Sequence, residues 1–259
     1  MKFAALLFIA SLGLAACGQS GTAAGPSLAS ASAAAHKGAD QFVALASGSA
    51  QSGNAPRQTD PAAAPLLDAV LNTAPLAGAT PSFDDLDAVN DWLGSANRVG
   101  EVYILAGTGV TDISTAGPSL TDHINRNTVL YAPEFGRYMD AELAIMAAEA
   151  RTLAKFLADN PTATRDPTRA KGLAQTRSGL SQAVNGVLTT IPVAGLSDEW
   201  RRARASALVA AAPDLARILP ADAGQQLSGV AQQVASASTD PILKGDLARF
   251  ASLITKPAG

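Results

Sequence analysis

From Asp60 onward the chain is cut at short intervals by residues that start and stop helices, and this spacing leaves little room for a sheet. Pro65 sits at the start of a short helix carrying Leu66, Leu67, Val70 and Leu71, which Pro75 ends. A ring without an N–H costs nothing in the first turn and breaks a later one. Ser82 caps a second helix, with Asp84, Asp85 and Asp87 in the turn where the dipole favours anions. Its apolar positions Leu86, Val89, Leu93, Ala96 and Tyr103 step by three and four, with a gap at Gly100. Ser119 and Asp122 have the spacing of a capping box and open the longest helix, which runs to Ala158 with a kink at Pro133. A fourth helix starts at Thr168 and places Leu173, Leu180 and Val187 seven apart. Ser197 caps a fifth that breaks at Pro213, a sixth holds Leu227, Val230 and Val234, and Asp240-Pro241 opens the last. Val102 to Leu105 has strand propensity, but Gly107 just beyond it reads as a helix stop.

Alanine decides how such helices pack. The chain holds 56 of them among its 259 residues, so the 47% apolar share overstates the supply of large core side chains. Alanine favours the helix and lets neighbours approach closely. The expected fold is therefore all-α: an alanine-rich helical bundle of about six to seven helices over residues 61–259. One internal echo bears on its symmetry. Val70-Leu71-Asn72-Thr73-Ala74-Pro75-Leu76-Ala77-Gly78 agrees with Val187-Leu188-Thr189-Thr190-Ile191-Pro192-Val193-Ala194-Gly195 at six of nine positions. Two accounts stand: a duplicated helical hairpin, or convergence of helix-stop chemistry on one pattern.

The N-terminus carries an address. Lys2 supplies a positive charge, residues 3–14 are uncharged and mostly apolar, and Leu14-Ala15-Ala16-Cys17 follows. The run is too short to span a bilayer and reads as the core of an export signal. Cys17 is the only cysteine, so it has no disulfide partner within the chain, and an unpaired thiol in an oxidising compartment needs a reason. The four residues resemble the lipobox of bacterial lipoproteins. The resemblance implies cleavage before Cys17, a diacylglycerol on its thiol and a membrane as partner. Gly18, in place of an inner-membrane retention aspartate, points to the periplasmic face of the outer membrane. Residues 1–16 are thus expected as signal peptide. Residues 17–60, mostly Ala, Ser, Gly and Thr, are expected as a lipidated flexible tether, with room for a short helix around Leu28 to Ala46.

The chemistry sought in the helical part is sparse. His36 falls in the expected tether, and His123 has no partner at metal-ligand spacing. Glu142 and Glu149 share a helix face without the histidines of a bundle metal site. Asp84, Asp85, Asp87 and Asp91 lack the glycine and terminal glutamate of a calcium loop. No serine elbow, P-loop or dinucleotide loop is present, so neither metal nor cofactor is expected and enzymatic activity is not favoured. Arg201, Arg202 and Arg204 beside Trp200 read as a solvated face, and no nucleic-acid partner is expected. Charge is polarised: residues 60–150 carry 13 acids against 3 arginines, and residues 151–220 carry 10 bases against 5 acids. That invites either mutual packing of the two halves or docking to a charged partner. The richest apolar cluster is Tyr103, Tyr131, Phe135, Tyr138, Met139 and Met146, expected as core and, in the alternative, as a pocket between helices. The leading expectation is a non-enzymatic, membrane-anchored periplasmic lipoprotein that binds an envelope partner. The alternative is a binder of lipid or another hydrophobic small molecule.

Overall fold

The computed structural model describes residues 27–111 and 120–256. Cys17, the signal residues 1–16 and the expected cap Ser119 lie outside the described residues. Among those described the fold is all-α, with no strand. Ten α-helices follow in order: α1 (Leu28–Leu45), α2 (Ser49–Ser52), α3 (Ala64–Leu71), α4 (Leu86–Leu105), α5 (Leu120–Leu130), α6 (Ala132–Asp159), α7 (Pro167–Thr190), α8 (Asp198–Leu215), α9 (Ala221–Ala237) and α10 (Pro241–Ile254).

The expected six to seven helices become ten for two reasons. First, the long helix from residue 119 is not one kinked rod. Tyr131 leaves helical geometry at φ −111° and ψ 31°, so α5 ends and α6 begins with Pro133 in its first turn. Proline starts the second helix there rather than bending the first. Second, residues 28–60 are not a flexible tether. Ser27 caps α1 by accepting from the Ser30 N–H, and Ala35, Ala39 and Phe42 are completely buried. The composition argument failed because α1 packs with its backbone. A Cβ added to Gly38 would stand 3.1 Å from Ala69 Cβ and 3.3 Å from the Leu66 carbonyl. Small residues that supply little apolar area permit that approach. A further correction concerns α8, which runs through Pro213 to end at Leu215.

The helix starts fall where the capping residues stand. Ser82 N–H donates to Asp85 Oδ2 at 3.0 Å, Ser197 accepts from the Trp200 N–H, and Asp240 accepts from the N–H groups of Ile242 and Leu243. Gly107, at φ 72°, follows the end of α4, so Val102 to Leu105 is helical.

At the centre lies α6, buried on most of its circumference, as a helix lined with alanine on several faces can be. It packs against α4 on one flank and α8 on the other; α1 and α3 back α4, α10 backs α8, and α9 joins α10 to α7. The echoing segments each end a helix, α3 and α7, and each closes on a glycine of positive φ: Gly78 at 68° and Gly195 at 94°.

Candidate functional site

The two halves of α6 are built differently. In its first half Phe135, Tyr138 and Met139 join Tyr103 of α4 and Tyr131, all at most 2% exposed. Tyr103 and Tyr131 meet at 5.2 Å between centroids with their planes tilted by 49°, Phe42 meets Tyr103 at 5.8 Å, and Phe135 meets Tyr138 edge-on at 5.8 Å. This is the set expected as core or as a pocket, and what closes it is the stretch expected as tether. Tyr131 Oη donates to the Gly53 carbonyl and accepts from the Ala55 N–H at 2.9 Å, while Tyr103 Oη donates to the Pro56 carbonyl at 2.9 Å. The Gln58 N–H donates to Glu134 Oε1 at 2.9 Å, and the Arg57 guanidinium lies 4.1 Å from the Tyr131 ring centroid. Residues 53–58 thus form a strap over the aromatic cluster, and burial pushes the Tyr103 hydroxyl well above its ordinary pKa. Of the six candidates Met146 borders a cavity.

That cavity belongs to the second half. It is a cleft of about 40 Å³ between α4 and α7, floored by Glu142, Met146 and Glu149 of α6. Asn90, Leu93 and Asn97 of α4 form one wall, and Thr176, Gly179, Leu180 and Ala183 of α7 the other. Such a volume holds about three waters. Glu142 and Glu149 are 4% and 3% exposed. Burial pushes the Glu142 carboxyl up to about 7, against a hydrogen bond from Tyr138 that lowers it. The same hydroxyl lies 3.2 Å from Asn97 Oδ1, so the two acceptors share its single proton. Burial alone pushes Glu149 to about 7. Among the described residues the Glu149 carboxyl, which lines the cleft, accepts no hydrogen bond and makes no ion pair, while the fully enclosed side-chain atoms without a hydrogen-bond partner are Glu134 Oε2 and Arg201 Nε.

Glycine makes the first half close. A Cβ on Gly100 would stand 2.7 Å from the Tyr138 ring, so the gap in the α4 stripe is the seat of that ring. A Cβ on Gly136 would collide with the Arg204 guanidinium and stand 2.8 Å from Trp200 Nε1, which donates to the Ala132 carbonyl at 2.7 Å.

The remaining candidates disperse. His36 lies 3.6 Å from Asp40 on the exposed side of α1. Among the described residues no group of three or more His, Cys, Asp and Glu comes together to hold a metal. The arginines beside Trp200 are engaged: Arg201 donates to the Val193 carbonyl at 3.0 Å, Arg202 to Asp240 at 2.6 Å, and Arg204 to both carboxylate oxygens of Asp140. Among the described ion pairs only Arg204–Asp140 joins the acidic stretch 60–150 to the basic stretch 151–220. A wider open groove of about 660 Å³ runs along α5 past Ile124, Arg126 and Val129 to Val193.

Glu142 and Glu149 are what the sequence reading undervalued. Their shared helix face was visible, but the wall that buries them comes from Asn90, Asn97 and Thr176 on two other helices. Set against protein-family models, curated proteins and solved structures, the chain matches none.

Proposed function

We propose that the chain is a lipid-anchored protein of the bacterial envelope, held through Cys17 at the periplasmic face of the outer membrane, whose helical body binds an envelope partner. The observation that carries this reading is the lone cysteine closing Leu14-Ala15-Ala16-Cys17 after a short apolar run. Anchoring needs two or more acyl chains, each methylene adding about 0.8 kcal/mol, and a diacylglycerol supplies two. Among the described residues no helix is long and apolar enough to cross a membrane. Binding rather than catalysis is favoured by the body's charge asymmetry, which among the described ion pairs is bridged between the two stretches by Arg204–Asp140. A carrier of large apolar molecules is disfavoured, because the strap at residues 53–58 fills the space above Tyr103 and Tyr131.

The test is metabolic labelling with palmitate in cells expressing the chain or its Cys17→Ser variant, followed by separation of the two membranes. Label should enter the parent protein, which should sediment with outer membrane, and should be absent from the variant. An unlabelled parent protein, or label persisting in the variant, overturns the anchor. Cross-linking in intact envelopes should then trap a protein neighbour; an equimolar apolar ligand in the purified chain would favour the carrier instead.

A further inference from the structure

The strap at residues 53–58 is held as a bound peptide is held. Five hydrogen bonds fix it: Tyr131 Oη donates to the Gly53 carbonyl and accepts from the Ala55 N–H, Tyr103 Oη donates to the Pro56 carbonyl, the Gln58 N–H donates to Glu134 Oε1, and Arg57 Nη1 donates to the Leu130 carbonyl at 2.6 Å. Four of the five read the strap's main chain, through the side chains of Tyr103, Tyr131 and Glu134. Residues 54–57 form neither helix nor turn. Main-chain bonds give a bound segment its affinity, and the settings of a few side chains give it specificity. Those settings are present here. Ala55 is buried, which admits only a small residue. Pro56 has no N–H to satisfy and keeps the residue before it out of the helical region. Arg57 lies over the Tyr131 ring, where a cation is attracted.

The strap does not satisfy the site it occupies. Glu134 is 2% exposed, and its Oε2 has no hydrogen-bond partner. Arg57 Nη1 stands 3.6 Å away, too far for a hydrogen bond, and is committed to Leu130. A buried carboxylate oxygen without a donor is costly, and a guanidinium that reached it squarely would relieve it. Leu130, at the same corner, leaves its side chain exposed. The strap is also free to leave without unpicking the helices beside it. The preceding α2 stays tied, because the Gly107 and Gly109 N–H groups donate to the Ser49 and Ala50 carbonyls. Gly53, at φ 74°, is a pivot without strain. On the far side the Asp60 carbonyl accepts from the Ala63 and Ala64 N–H groups and so stays with α3. An incoming segment of like sequence remakes the same five bonds, so the exchange turns on how well its arginine reaches Glu134.

We propose that Tyr103, Tyr131 and Glu134 form a recognition site for a non-helical peptide segment of a protein partner, with the pattern small residue-Pro-Arg, and that residues 53–58 occupy this site in cis as an autoinhibitory mimic. The proposal deepens the reading that the helical body binds an envelope protein and is independent of the lipid anchor. The covalent link keeps the mimic at high local concentration. A partner therefore meets an affinity reduced by the fraction of molecules whose strap is open.

The experiment follows the fluorescence anisotropy of a labelled peptide Gly-Asn-Ala-Pro-Arg-Gln, the sequence of residues 53–58, added to the full chain in detergent. The control peptide carries alanine in place of the arginine. Two variants release the site: Ala55→Pro removes the N–H given to Tyr131, and Arg57→Ala removes one side chain and leaves the backbone as it was. The peptide should bind either variant saturably at one site, and the parent at least about tenfold more weakly. The variants should bind the alanine peptide at least about tenfold more weakly than the arginine peptide. Glu134→Gln, added to Arg57→Ala, keeps an acceptor for the peptide N–H and should erase that preference. Excess peptide should also speed protease cutting of the parent within residues 53–58, a readout that needs no variant. Absence of saturable binding to the folded Arg57→Ala chain, equal affinity for the two peptides, or equal affinity of parent and variants would each overturn the proposal. So would variants that pair by exchanging straps, seen as peptide-free dimers in light scattering. An envelope protein trapped by cross-linking would survive such a failure, so the two readings fall separately.

Discussion

The two halves of α6 bury polar groups in opposite ways. Around Phe135 and Tyr138 the tyrosine hydroxyls are matched to partners, and a strap from another part of the chain seals them. Around Glu142 and Glu149 the burial is as deep, but one carboxyl has a single partner and the other none among the described residues. The same helix thus closes its aromatic half around partnered hydroxyls, with Glu134 Oε2 left without a hydrogen bond there, and opens its second half onto a cleft. Burial by itself does not distinguish structure from function; the hydrogen-bond inventory does.

Four changes would break or sharpen that contrast. Phe135→Ala empties a fully buried position in the aromatic half and should cost about 3–5 kcal/mol of stability, read from urea unfolding. A loss under about 1 kcal/mol would mean that this half can collapse and is not tightly packed.

At the other half the effect should have the opposite sign. Carboxyls raised from 4.5 to about 7 keep the folded chain more protonated than the unfolded one in that window. Their stability is fully present below the unfolded value and is lost as pH rises through the folded one. Asp40 and Asp240, held low by Arg98 and Arg202, act inversely and lose their contribution only at strongly acid pH. Stability should therefore peak on the acid side of neutrality. Glu149→Gln should raise stability at about pH 8 by on the order of 3 kcal/mol and change it little at about pH 5. Destabilisation at both pH values would show that the carboxyl is already satisfied.

Tyr131→Phe removes the hydroxyl that serves both Gly53 and Ala55. It should cost about 1–3 kcal/mol and admit protease at residues 53–58, with fragments identified by mass. An unchanged cleavage pattern would mean that the contacts of Pro56, Arg57 and Gln58 hold the strap without Tyr131.

The smallest effect concerns salt. With Arg204–Asp140 as the pair crossing the two charged stretches, molar sodium chloride should change stability by less than about 1 kcal/mol. A larger loss would restore the view that the stretches hold each other together.

Much of this architecture was legible because its punctuation is local. Pro65, Ser82, Ser197 and Asp240 act on the next few residues, and the helices begin beside them. What could not be read is long-range. Whether Pro133 kinks one helix or starts another depends on Tyr131 docking under residues 53–58. Whether alanine and glycine near residue 38 make a tether or a helix depends on a partner surface at Leu66 to Val70. The aromatic set was correctly read as core in its main sense, since aromatic spacing on a helix reports burial. The carboxylates carried no such spacing signal, because their setting is assembled from three helices.

The position of α1 has a mechanical consequence for the proposed anchor. Only ten residues separate Cys17 from Leu28, the first residue of α1. Ten residues of chain reach at most about 35 Å. A body held on so short a leash from Cys17 would patrol a shallow layer above its own leaflet, meeting neighbours embedded in the same membrane far more often than anything deeper in the periplasm. Lengthening that leash, rather than altering any surface, would be the way to change what the protein encounters.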